Sequence, residues 1–334
     1  MPRRRCRAVR TCLALACLCL ALLAAPRQGA AQGAAQPWPQ ERPVRVVITW
    51  APGGTTDYVA RLYARHLAQV TGQSFVVENR TGGSGIVGWG NVAQSRPDGY
   101  TLLITDNSIV TVPPLLPEPG FDVRAAFQPV AELVDYPAVF TVPAGFEART
   151  LQEMVAIARA RPEALDYGSM GNGSTMHLYV EVFQDLAGIR LTHVPYRGAG
   201  PAFLDVVAGR IQLALAAPPT MLSGMQAGTV RALAISTGGG RVAAFPGVPT
   251  VREAGYDFDL SYWYGLLAPR GLDPAVARRL VEAVAQVNAM PEVRGRFAEQ
   301  GASPLAGDGA ALGRRIDTEL ARWATLVRDK NIRP

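Results

Sequence analysis

The sequence predicts an α/β protein of two lobes facing each other across a cleft. Three observations lead there. Short apolar runs alternate with segments of helical apolar spacing over most of residues 44–268, the pattern of sheets covered by helices. Two glycine-rich, hydroxyl-bearing turns, one in each half of the chain, each join a strand-like run to a helix-like one. Finally, 334 residues of which 49% are hydrophobic suit about two globular domains. A disordered chain lacks such apolar content, and a disulfide-stapled miniprotein is shorter and richer in cysteine.

Residues 44–49 read as a buried strand. Ala51-Pro52-Gly53-Gly54-Thr55-Thr56-Asp57 then turns the chain into a helix over 58–70, where apolar residues recur at helical spacing. A strand over 75–78, a short helix over 86–94 and a strand over 101–105 follow, divided by turns at Thr81-Gly82-Gly83 and Pro97-Asp98-Gly99. The stretch 112–120 holds Pro113, Pro114, Pro117 and Pro119 and is too proline-rich for an element interior. Strand-like runs come next at 129–133 and 138–142. Helices over 151–160, 174–186 and 202–207 alternate with strands over 165–167, 191–194 and 211–216, and a further strand over 230–236 precedes the loop Phe245-Pro246-Gly247-Val248-Pro249-Thr250. Residues 260–268 resemble a strand of the first unit, and the tail from Pro274 is almost wholly helical. The layout places a first lobe in 37–140, a second in 141–250 and a return to the first in 251–334, with joins near 135–145 and 240–260. There is no internal repeat and no heptad run.

Residues 1–31 are set apart by composition. A cluster Pro2-Arg3-Arg4-Arg5-Cys6-Arg7 precedes an apolar run over 12–25 and the small residues Gly29-Ala30-Ala31. This is the layout of a cleaved signal peptide, shorter than a comfortable membrane span, with an uncleaved anchor as the alternative. Cys6, Cys12, Cys17 and Cys19 all lie there, so the processed chain has no disulfide, thiolate nucleophile or zinc-thiolate site. Cys17 is the candidate for lipidation. Six of the 33 Lys and Arg residues also fall in this segment without an acid, which leaves the remainder balanced against its 27 Asp and Glu. The basic character is a leader effect and gives no argument for a nucleic-acid or membrane-surface partner.

In an open α/β lobe ligands sit at the carboxyl ends of strands. Pro52, Gly53, Gly54, Thr55, Thr56 and Asp57 occupy that place in the first lobe. Glycines let the backbone approach a ligand, and the helix start favours an anion. Thr55 or Thr56 can cap the helix while the other binds. Gly168-Ser169-Met170-Gly171-Asn172-Gly173-Ser174-Thr175-Met176-His177 repeats the construction in the second lobe. Two such loops across a hinge describe a clamshell for a small anion. Ser108, just beyond the strand over 101–105, joins the candidate set.

Enzyme motifs are weak. Gly83-Ser84-Gly85-Ile86-Val87-Gly88 matches GxGxxG formally, but Arg80-Thr81-Gly82 intervene after the strand and no strand-end acid follows, since Asp98 sits in a turn. There is no GxxxxGK[ST], HExxH or GxSxG. Ser174 and His177, one helical turn apart, with Glu181 or Asp205 as the acid, give the alternative of an exported hydrolase or lyase. His66 reads as a helix-surface residue and His193 as a strand end, so no metal site or cofactor is expected.

Together these residues resemble the tripartite tricarboxylate transporter receptors, the Bug family of periplasmic solute-binding proteins. The resemblance runs over about 38–332 and is carried by the first loop, Val77-Glu78-Asn79-Arg80, Pro97-Asp98-Gly99-Tyr100-Thr101-Leu102, Tyr167-Gly168-Ser169-Met170-Gly171-Asn172-Gly173-Ser174, His177-Leu178, His193-Val194-Pro195-Tyr196-Arg197-Gly198, Arg231-Ala232-Leu233-Ala234, Val248-Pro249-Thr250, Glu253-Ala254-Gly255 and Trp263-Tyr264-Gly265-Leu266. It implies a periplasmic-binding-protein-like type II clamshell in the periplasm that closes on a small mono-, di- or tricarboxylate or amino-acid-like solute; no oligomerisation signal is visible in the sequence, so a monomer is expected. The partners implied are large and small integral membrane permease subunits; a sensory receptor would use the same cleft. The family pattern assigns binding to Gly53 to Asp57, to Gly171, Asn172, Ser174, Thr175 and His177, and to Gly198 and Ala199 at a bordering turn. Arg197 there is placed for a second ligand carboxylate or, as the preferred reading, a surface ion pair. Trp50 stands where the family commonly has Phe, Thr81-Gly82-Gly83 replaces a Pro-Gly-Ala-like turn, and Ala217-Pro218-Pro219-Thr220-Met221 looks individual. Trp50 is read either as pocket wall or as core.

Overall fold

The computed structural model describes residues 38–115, 122–237 and 240–332. The expected signal peptide, its cysteines and lipidation at Cys17 lie outside the described residues. In chain order, β1 (Val44–Ile48), α1 (Thr55–Thr71), β2 (Phe75–Asn79), α2 (Ile86–Ala93) and β3 (Thr101–Asp106) make the first α/β series. The single turns α3 (Ser108–Thr111) and α4 (Val123–Ala126) lead into β4 (Phe127–Pro143). The second series is α5 (Leu151–Ala160), β5 (Asp166–Ser169), α6 (Thr175–Ala187), β6 (Thr192–Pro195), α7 (Ala199–Val207), β7 (Leu213–Ala216), α8 (Pro218–Gln226) and β8 (Val230–Ser236). β9 (Ser261–Pro269), α9 (Pro274–Ala289), α10 (Pro291–Glu299), β10 (Ser303–Pro304) and α11 (Gly309–Asp329) follow.

Local chemistry sets the helix ends. Gly72, at φ 74°, closes α1 in the left-handed conformation that glycine adopts freely. Asp273 accepts the Ala275 N–H ahead of Pro274 in α9, and Asp308 accepts the Ala311 N–H at the start of α11.

Each series forms a parallel triad, β2-β1-β3 and β7-β5-β6, as the alternating pattern predicts. Antiparallel strands complete both, giving a mixed rather than purely parallel sheet. β9 lies against β3 and β4, while β4 continues to β7 and β8. β4 therefore serves both halves of the sheet: its pairing with β9 ends at Pro137 opposite Ser261, and its pairing with β8 begins at Ala138 opposite Ser236.

The sequence reads β4 as two separate runs, but the structure joins them into one 17-residue strand. Pro137 falls where the strand changes partners, and the acids that break the apolar pattern, Glu132 and Asp135, meet Arg315 of α11 at 3.3 and 2.8 Å. The tail is almost wholly helical as expected, interrupted by the two-residue β10, which pairs with Val134 and Asp135 of β4. His66 also differs from expectation: it is 1% exposed, in a helix that packs on the sheet and on α9, with Nδ1 2.9 Å from Gln69 Oε1. Among the described residues no helix is long and apolar enough to cross a membrane.

Candidate functional site

β1 brings the chain to Trp50 and the first loop. Gly53 takes φ 88°, a conformation that favours glycine, and Gly54 then stands as the N-cap of α1 in extended backbone. Neither threonine caps the helix: no side chain does, so the first-turn N–H groups of α1 enter the cleft without a capping partner although Thr55, Thr56 and Asp57 are all buried. Beneath them lies Asp106, at the end of β3 and 1% exposed. Its carboxylate accepts from Trp50 Nε1 at 2.6 Å, Thr56 Oγ1 at 2.9 Å and Ser108 N at 2.8 Å. Burial without an ion pair pushes its pKa up. The Thr56 proton is thereby committed to Asp106.

The second loop follows β5 and holds Gly171 and Gly173 at φ 114° and 76°. Ser174 caps α6 by accepting the His177 backbone N–H at 3.4 Å. Its neighbours reach across to the other half of the molecule: Thr175 N donates to Ser108 Oγ at 3.1 Å, Thr111 Oγ1 donates to the Gly173 carbonyl at 2.8 Å, and Asn107 Nδ2 donates to Tyr179 Oη at 2.7 Å. On the other flank Ala51 N donates to the Arg197 carbonyl at 3.0 Å, and the Thr55 and Thr220 hydroxyls are 2.8 Å apart. The backbones touch where glycine allows it. A Cβ on Gly200 would lie 2.7 Å from the Pro52 carbonyl oxygen, and one on Gly198 2.9 Å from Ala51 N.

These contacts enclose a small cavity. Trp50, Gly54, Thr55 and Thr56 form one wall, Met170, Met176, Ala199, Ala216, Ala217 and Thr220 the other, and Tyr262 and Tyr264 of β9 the floor. Its free volume of about 10 Å³ admits roughly one water, so the cleft is closed. No charged side chain lines it. Trp50 and Met170 separate it from an outer vestibule of about 460 Å³ that adds Ser84, Gly171, Asn172, Tyr196 and Arg197.

Of the residues singled out from sequence, Gly54, Thr55, Thr56 and Ala199 line the cavity, Pro52 and Gly198 form the contact beside it, and Gly53 shapes the exposed turn. The Asp57 carboxylate is taken up by Arg61 at 2.8 Å and Asn79 at 3.1 Å, which hold its pKa below the usual range against the opposing effect of burial. Ser108 and Thr175 lie in the cross-cleft bonds, Ser174 caps α6, and Gly171 and Asn172 line the vestibule. His177 points into a different cavity of about 420 Å³ that also holds Glu181 and His193. Its Nδ1 accepts the Gly173 N–H at 3.0 Å, its ring stacks on His193 at 4.1 Å, and burial pushes its pKa down to about 4. The Ser174 hydroxyl thus meets the His177 backbone rather than its ring. Arg197 is exposed and makes no ion pair, contrary to the surface-pair expectation; the acid at its turn, Asp205, is taken up by Tyr196 at 2.7 Å and Arg210 at 2.6 Å. Trp50 is both wall and core, at 3% exposure.

Sequence reasoning missed Asp106 and Tyr262, and it quoted Met170, Met176, Thr220 and Tyr264 within its motifs without giving them a place in the site. Asp106 was findable as the acid closing an otherwise apolar strand at its carboxyl end. Tyr262 and Tyr264 share a face of β9 at the two-residue period of a strand. Among the described residues no group of His, Cys, Asp or Glu is placed to hold a metal ion.

A family model described as "Tripartite tricarboxylate transporter family receptor" matches residues 59–332. Three solved structures are similar over nearly their whole length. The periplasmic binding protein BugD is 29% identical, covers 88% of this chain and 99% of its own, and superposes with a TM-score of 0.84. An R. palustris protein with adipate is 33% identical, with coverage of 89% and 100% and a TM-score of 0.85. MatC from Rhodopseudomonas palustris with bound malate is 30% identical, with coverage of 86% and 99% and a TM-score of 0.82.

Proposed function

The chain belongs to the tripartite tricarboxylate transporter receptor family, and from that premise we propose that it is a periplasmic receptor which captures a small carboxylated solute and delivers it unaltered to the large and small membrane subunits of a tripartite tricarboxylate-type transporter. The observation that carries the reading is the buried, uncapped start of α1 facing a closed cavity between the lobes. A carboxylate seated there accepts from the first-turn N–H groups and meets the positive end of the helix dipole without needing an arginine. Adipate and malate in the two R. palustris relatives support a carboxylate as the solute.

The lobes are read as 37–140 with 251–334, and 141–250. They hinge where β4 exchanges β9 for β8 and where the chain returns between Ser236 and Ser261. The solute favours closure by the difference in its affinity for the closed and open forms. Met170, Met176 and Ala199 come onto it from the second lobe, opposite Trp50, Thr55 and Thr56 of the first. The leader supports export, and the protein acts as a monomer.

The test strips the processed chain of ligand by refolding and follows its melting temperature with a panel of carboxylic acids. An acid at 100 times its Kd adds about 2.7 kcal/mol, a rise of roughly 5 °C for a chain this size. The acid is then recovered after long incubation. A rise with intact acid supports the receptor. No rise with any acid in folded protein refutes carboxylate binding, and conversion of the acid that is lost in His177→Ala establishes an enzyme instead.

A further inference from the structure

We infer that Arg197 captures the anionic solute at the mouth of the cleft, setting how fast it enters rather than how tightly it is finally held. The inference rests on the receptor reading above and adds to it the step that precedes closure.

Positive charge is scarce along the route in. The inner cavity is lined by no charged side chain, and Arg197 is the one charged residue lining the vestibule outside it. That vestibule reaches solvent at Gly83, Asn172, Pro195 and Arg197, all exposed, and it shares the wall of Trp50 and Met170 with the cavity. A solute that approaches the start of α1 from this side therefore passes Arg197 first. The processed chain is balanced in charge, so no net charge of the whole molecule draws an anion in.

The charges around the mouth are taken up by one another, and Arg197 is left over. On its own lobe Asp205 is held by Tyr196 at 2.7 Å and by Arg210 at 2.6 Å. On the other lobe Arg80, next to the lining residue Thr81, donates to Glu78 at 2.6 Å, and Glu78 also accepts from Arg45 at 2.8 Å. The Arg197 guanidinium makes no ion pair, while its carbonyl accepts the Ala51 N–H at 3.0 Å across the seam between the lobes. The residue is thus anchored at the lip with its cation free to meet an incoming carboxylate.

Exposure decides what such a charge does. In well-solvated surroundings a rim cation adds little to a finished complex, but its attraction over several ångströms raises the rate of encounter. A carboxylate seated on the first turn of α1 lies beyond the wall of Trp50 and Met170, in the closed cavity whose lining does not include Arg197.

The experiment is stopped-flow tryptophan fluorescence on the ligand-stripped, processed chain, with hexanoate, malate and adipate as probes over a range of salt. In Arg197→Ala the association rate at low salt should fall about threefold for hexanoate and roughly tenfold for the two dianions, with dissociation unchanged. The deficit should vanish near 1 M salt, where the screening length is about 3 Å, and Arg197→Lys should restore the rate. The side chain has no ion pair to lose, so the variants should melt with the wild type. An unchanged association rate, or a deficit that salt does not remove, overturns the inference while leaving the receptor standing. Faster dissociation of the dianions alone also overturns it, since Arg197 is then a partner of the second carboxylate in the finished complex. Binding of none of the three probes by folded wild-type protein overturns both.

Discussion

Substituting Gly200 tests whether closure brings the first loop onto α7. A Cβ at this position would lie 2.7 Å from the Pro52 carbonyl oxygen, 3.0 Å from Gly53 C and 3.2 Å from Gly54 N. All three are backbone atoms of the opposite lobe, so no flexible side chain can move aside. Within its own lobe Gly200 is a helix residue of α7, and alanine there should stabilise the helix by about 0.8–1 kcal/mol. The overpacking cost, about 1–3 kcal/mol, falls only on the closed form. Gly200→Ala should therefore keep or slightly raise the melting temperature of the ligand-free protein while weakening solute binding roughly five- to 150-fold. The cysteines all lie in the first 31 residues, so a pair introduced at the exposed Val87 and Leu204 of the processed chain can carry spin labels cleanly. The interlobe distance with solute should lengthen in the variant. An unchanged distance and unchanged affinity in folded Gly200→Ala protein would refute the closure described here.

Three further outcomes are expected. Ser174→Ala removes the cap of α6 and should cost about 1 kcal/mol of stability by denaturant titration, with solute affinity little changed because Ser174 does not line the cavity. His177 has its folded pKa lowered from 6.5 to about 4, so the unfolded chain takes up its proton first. Stability should fall as pH drops from 6.5 to 4, and His193, whose pKa is also held down to about 4 by burial and by His177, contributes in the same window; His177→Asn, which keeps an acceptor for Gly173 N–H, should make that part of the pH profile shallower without abolishing it. Arg315→Ala strips Glu132, Asp135 and Glu319 of their shared partner beside β4 and should cost about 3–5 kcal/mol, read as a lower urea midpoint.

What was legible in the sequence was whatever local chemistry dictates. The strand-to-helix loop at Gly53 and Gly54 announces itself because a left-handed turn and a close backbone approach both require glycine. The parallel triads follow from apolar runs alternating with helices. The continuous β4 was hidden because Glu132, Asp135 and Pro137 break its pattern, and the residue that makes the acids tolerable, Arg315, lies some 180 positions away. His66 was misplaced for the same kind of reason, since its burial comes from packing on elements distant in sequence. Hydrogen-bond direction was equally out of reach. Thr56 looks like a donor to the ligand until Asp106, fifty residues on, is seen to take its proton. His177 belongs to a recognisable loop, yet tertiary stacking on His193 turns it into another cavity.

The most direct measurement is a crystal structure of the processed chain with whichever carboxylate raises its melting temperature most. The carboxylate should lie between the lobes within hydrogen-bonding distance of the Thr55 and Thr56 backbone N–H groups, its body against Trp50 and Met176. A solute bound in the cavity of His177 and His193, or on an open cleft with the Ala51–Arg197 contact broken, would contradict the site and the closure together.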